Sequence, residues 1–103
     1  MIETGNEKAA QLDLDNFKIQ QENYTIIDVR NKGEVRAYPY FDQAINIPLY
    51  ELRTRLAEIP SNKPILVHCA GGYRSAAGSS IIENAFDGKT EIYDLGEAIS
   101  TFI

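Results

Sequence analysis

Short apolar segments alternating with helix-patterned ones predict an α/β fold, a small, mostly parallel central sheet of about four to five strands flanked by helices on both faces. Two further observations bound it. A chain of 103 residues holds one core and is too short for two. Its composition, 44% hydrophobic and 24% charged, is that of a globular domain rather than a disordered or fibrous chain. Residues 1–103 are therefore read as one domain, with residues 1–9 loosely ordered and at most a short edge strand at 10–12.

The elements follow in order. From Asp13, a capped short helix carries Leu14, Phe17 and Ile19, and residues 24–29 read as a buried strand. Asn31 caps a short helix that runs to Tyr38 and is stopped by Pro39. Residues 44–47 form a second strand. Beyond Pro48, the positions of Leu49, Leu52, Leu56 and Ile59 predict an amphipathic helix closed by Pro60. Residues 64–69 are the most hydrophobic strand, and a helix over 75–85 begins where the glycines end. A last strand at 91–95 and a short helix at 97–102 complete the chain.

The charge balance narrows the function. A formal charge of -5 argues against nucleic acid as a partner, because binding a phosphate backbone relies on clustered Lys and Arg. No apolar run approaches the roughly 20 residues that cross a bilayer, so no membrane is expected and the chain is read as cytoplasmic. One cysteine and one histidine cannot supply the side chains of a zinc site, so neither metal nor cofactor is expected. A lone thiol is then either structural filler or a reagent.

The segment V-H-C-A-G-G-Y-R-S, residues 67–75, favours the reagent. Ligands of open α/β sheets bind beyond the carboxyl ends of the strands, where Cys69 falls. Gly71 and Gly72 can accept unusual backbone angles, so that the amides of residues 70–74 turn inward as a nest for negative charge, and the helix near Ser75 adds its positive end. Those donors and Arg74 favour thiolate, with a pKa of roughly 3.5 to 7.5 against about 8.5 for a free thiol. Arg74 is expected to hold the loop and attract an anionic donor. Tyr73 either rims the pocket or stands exposed. His68, next to Cys69 on a strand, should face the opposite way and serve as scaffold rather than base.

The run H-C-A-G-G-Y-R-S resembles the active-site loop of the rhodanese family, the thiosulfate and persulfide sulfurtransferases. The resemblance extends to I-I-D-V-R at 26–30 and A-I-N-I-P-L at 44–49, and covers most of the chain from about residue 10. It implies a rhodanese-like fold and a sulfurtransferase in which Cys69 attacks the outer sulfur of thiosulfate or a glutathione persulfide. The resulting Cys69 persulfide, cradled by Ala70, Gly71, Gly72, Tyr73, Arg74 and Ser75, would pass its sulfur to a thiol, cyanide or another nucleophile. Asp28 is implied to be architectural, while Arg30 either pairs with Glu34 or another acid or lends positive potential to the pocket mouth. Cysteine phosphatases share the architecture with a loop one residue longer than the four residues separating Cys69 from Arg74, and the shorter ring suits one terminal sulfur.

The chain also looks like rhodanese domains fused behind persulfide-oxidising metallo-hydrolases, so it is expected to act as a monomer or as one domain of a larger chain. Two stretches depart from the family's pattern, at 39–44 and at Gly96, Glu97 and Ala98, and predict an altered lip. The alternatives are a regulatory or binding module of the same fold within a larger sulfide-metabolising protein, and a redox sensor. Retention of Cys69, both glycines and Arg74 argues against the binding module.

Overall fold

The computed structural model describes residues 12–102. The loose end at 1–9 and the edge strand expected at 10–12 lie outside these, except Leu12, which joins no strand. Four apolar segments form one sheet, Thr25–Asp28 (β1), Ile45–Asn46 (β2), Ile65–His68 (β3) and Ile92–Asp94 (β4). Their order is β2-β1-β3-β4 and every pair is parallel. The two central strands are buried at every position, which is why they read as unbroken apolar runs.

Alternation along the strands sorts the core into two layers. Ile27, Val29, Ile65, Val67 and Cys69 face one side, where they pack with Ile47, Leu52, Ile59 and Ile82. Ile26 and Leu66 face the other, against Phe17, Phe41, Leu95 and Ile99. The first layer is covered by α3 (Tyr73–Phe86) and by 3-10 turns at Leu49–Thr54 and Leu56–Glu58. The second is covered by α1 (Leu14–Ile19), whose Asp13 cap accepts the Asn16 amide at 3.1 Å, and by a 3-10 helix at Gly96–Thr101. The remaining helix, α2 (Lys32–Ala37), follows β1.

Three expectations are corrected. The single amphipathic helix over 49–59 is two 3-10 segments, broken at Arg55, whose guanidinium forks between Glu51 at 2.7 Å and Glu58 at 2.8 Å. The long helix begins at Tyr73 rather than Ser75, because Gly72, at φ 119°, already turns the chain into it. The terminal helix is 3-10 throughout.

Candidate active site

Register decides where the chemistry sits. β3 ends at His68, paired with Asp28 of β1, so Cys69 emerges at the carboxyl end of the sheet between two neighbouring strands. Four residues later α3 starts. The connection is closed by hydrogen bonds onto the sulfur itself, with the Gly72 amide donating to Sγ at 3.1 Å and the Ser75 amide at 3.3 Å. Gly72 can supply its amide because it alone among residues 70–75 takes a positive φ, and an L side chain there would be strained. Gly71 does not share that conformation, so the expected pair of special glycines reduces to one.

Two opposing effects set the thiol's acidity. Burial, with Cys69 only 1% exposed, raises its pKa; the Ser75 hydroxyl and the amides of Gly72, Ser75 and Gly71 lower it, and the donors prevail. The Ser75 hydroxyl also donates to the Gly72 carbonyl at 3.1 Å. Having one proton, it serves either the carbonyl or the sulfur, and an ionised sulfur is the stronger acceptor.

The remaining loop residues divide. Ala70 is exposed, Tyr73 is 94% exposed, and neither bonds to the sulfur. Arg74 was expected to hold the loop and attract an anionic donor; its guanidinium is instead taken up by a carboxylate that the sequence had not placed at the site. Its guanidinium forks onto Glu34 of α2, Nη1 to Oε1 at 2.6 Å and Nη2 to Oε2 at 3.1 Å. Glu34 Oε1 also accepts the Asn31 amide at 2.9 Å, and the two partnerships hold its carboxyl down to about 2. The spacing of Asn31 and Glu34 is a capping-box signal that the sequence reading did not use; it could have given the bond to Asn31 but not the one across 40 residues to Arg74.

Of the alternatives for Arg30, the one found is pairing with another acid, Asp28; it neither reaches the pocket mouth, as the substrate-contact expectation required, nor meets Glu34. At 2% exposure it lies inside, with Nε and Nη2 on the Asp28 carboxylate at 3.0 and 2.8 Å, Nη2 on the Tyr38 carbonyl at 3.0 Å and the Tyr40 ring 3.8 Å from the guanidinium carbon. Sequence spacing could not distinguish a buried fork from an exposed one. Asp28 is architectural, accepting the Arg30 amide as well at 3.0 Å. Asn46 then ties β2 to this corner, donating to the carbonyls of Asp28 and Arg30, each at 2.9 Å.

His68 faces away from Cys69, as alternation requires. It is fully buried against Phe41, 4.9 Å between ring centroids, and Tyr40, and neither ring nitrogen has a hydrogen-bond partner. Burial lowers its pKa, opposed by the Asp28 carboxylate 3.6 Å away, and the net direction is down. It is a neutral scaffold side chain.

A depression of about 340 Å³ opens over the loop, lined by Gly71, Gly72, Tyr73, Gly96 and Glu97. A larger one, about 830 Å³, lies at the opposite end of the strands among Lys18, Tyr24, Thr25, Ile45 and Lys63, away from the thiol. Among the described residues no cluster of His, Cys, Asp and Glu could hold a metal ion, and no helix is long and apolar enough to cross a membrane.

A cysteine cradled by main-chain donors between a central parallel strand and the helix after it defines an α/β domain carrying a buried, acidified thiol. The chain belongs to the rhodanese-like domain family, whose model matches residues 11–102. It is 31% identical over 71 residues to the tRNA sulfurtransferase of Marinobacter nauticus, an alignment covering 66% of this chain and 15% of that one. Among solved structures, a rhodanese-related protein from Thermoplasma volcanium superposes with a TM-score of 0.76 at 27% identity, covering 89% of this chain and 88% of the other. A NAD-dependent persulfide reductase from A. fulgidus matches at 33% identity and a TM-score of 0.59, over 82% of this chain but 18% of its own. The chain spans between 15% and 60% of the length of the curated relatives it matches.

Proposed function

We propose that this domain is a sulfurtransferase that carries sulfane sulfur as a persulfide on Cys69. The observation that carries the reading is the pair of amides, Gly72 and Ser75, donating to the sulfur at 3.1 and 3.3 Å. Donors fixed before reaction favour the anionic nucleophile, and a second sulfur added to Sγ brings negative charge to the same concave set of N–H groups. The acidified thiol and the names of the relatives above, one a sulfurtransferase and one a persulfide reductase, support the same chemistry.

The Cys69 thiolate attacks the sulfane sulfur of a persulfide donor, or of thiosulfate. A new S–S bond forms as the donor's own S–S bond breaks, and the donor leaves with that electron pair as a thiolate or as sulfite. An acceptor thiolate or cyanide then attacks the outer sulfur, and Cys69 departs as thiolate. Sulfur is transferred at its own oxidation level, so neither metal nor cofactor takes part. Arg74 acts by holding the loop against α2 through Glu34, while Gly71 and Tyr73 line the depression beside it.

Intact-mass measurement tests this. After mixing with thiosulfate or glutathione persulfide, the protein should gain about 32 mass units, removable by a thiol and absent in Cys69→Ser. A wild type that gains no sulfur from either donor would sink the proposal in favour of a regulatory or binding module.

A further inference from the structure

The depression over the loop has an unusual charge. Of its five lining residues only Glu97 is charged, and its side chain is exposed. The lip that carries it is fixed against the loop: the position a Cβ would take on Gly72 lies 3.5 Å from the Gly96 carbonyl carbon and 3.6 Å from the Glu97 nitrogen. A second carboxylate stands at the base of that lip, where Asp94 Oδ1 accepts the Gly96 amide at 2.9 Å. The cation nearest in sequence to the cradle, Arg74, is occupied on both arms by Glu34. The loop whose Gly72 amide meets the sulfur thus borders a depression whose one charged lining residue is acidic.

Building on the sulfurtransferase reading, we propose that Glu97 is a specificity-determining residue that discriminates among sulfur donors. It disfavours those whose charge is concentrated on the reacting group, as in the thiosulfate dianion, and favours organic persulfides with an ammonium group close to the sulfur. The amides at Gly72 and Ser75 stabilise charge only at the sulfur they reach, whereas Glu97 acts on whatever remains at the mouth. The sulfite dianion that leaves thiosulfate there meets a carboxylate; an ammonium group meets a counter-ion. The transfer is balanced for the favoured donor: the Cys69 thiolate takes the terminal SH of the persulfide, and the donor leaves as its thiolate with the bonding pair.

The test compares kcat/KM for thiosulfate and for cysteamine persulfide in wild type, Glu97→Gln and Glu97→Lys, with cyanide as common acceptor. Wild type should prefer cysteamine persulfide, and Glu97→Lys should move the ratio towards thiosulfate by on the order of tenfold, with Glu97→Gln between. Added salt should raise the wild-type rate with thiosulfate and lower that of Glu97→Lys, a reversal that a structural role for the side chain would not produce. Sulfur loading on Cys69 with an unchanged donor ratio in both variants would overturn the role of Glu97 and leave the sulfurtransferase reading standing. Absence of loading from every donor would overturn both.

Discussion

Cys69 illustrates how a single side chain is governed by its neighbours' main chain. A thiol 1% exposed should be a weak acid, since burial penalises its charge, yet the donors around it reverse that sign. Alkylation by iodoacetamide should therefore follow a pH profile with its midpoint below the ordinary thiol value of about 8.5. The midpoint is the telling quantity, because burial slows the reaction at every pH; a midpoint at or above the ordinary value would contradict the balance described here. Arg30 and Arg74 show the other side of residue-scale reasoning. Both stand beside acids in the sequence, but which carboxylate each one meets was not readable there: Arg30 turns back to Asp28 two residues away, and Glu34 was claimed by Arg74, 40 residues on, rather than by its nearer neighbour in sequence.

At the scale of elements, α3 must lie close enough to β1 and β3 to hold the Ser75 amide over the sulfur. Gly78 makes that approach possible. A Cβ there would come within 3.2 Å of Val29 Cγ1, 3.4 Å of Val67 Cγ1 and 3.5 Å of Leu52 Cδ2. Alanine would gain about 1 kcal/mol of helix propensity, but the two valines flanking the contact are branched residues with little rotamer freedom, and overpacking of this kind costs about 1 to 3 kcal/mol. Gly78→Ala should thus lower stability by about 1 kcal/mol, read from the urea midpoint at unchanged m-value. A gain in stability would show that the helix can lift from the sheet at no cost. The alternation of strands and helices was readable because two periodicities differ plainly; the 3-10 character of residues 49–58 was not, since its leucines satisfy helical spacing while Arg55, bonded to Glu51 and Glu58, breaks the segment.

For the whole molecule, the two faces of the sheet have separate duties. One holds the Cys69 thiol beneath α3; the other buries Asp28, Arg30 and His68 among aromatic rings. That burial has a consequence for pH. The folded pKa of His68 is depressed, so its contribution to stability is fully present above the unfolded value of about 6.5 and declines as pH falls below it, because the unfolded chain binds a proton that the folded one refuses. His68 is the sole histidine, and Glu34, held down to about 2, titrates outside this window. Unfolding free energy should accordingly fall between pH 6.5 and pH 5 with a slope no steeper than about 1.4 kcal/mol per pH unit. His68→Phe, which keeps a ring against Phe41, should flatten that slope; persistence of the slope in the variant would assign it to another group.

The sequence by itself determined the layer order, the place of the Cys69 thiol at the end of its strand and the direction in which His68 faces. All three follow from local periodicity and from where the strand gives way to glycine, and these are properties of adjacent residues. Tertiary structure decided which glycine bends, which acid each arginine meets and which acid lines the depression beside the loop. Those depend on segments far apart in sequence, such as Glu34 with Arg74 and Gly72 with Gly96, and such distances are set only when the parallel strands take their register.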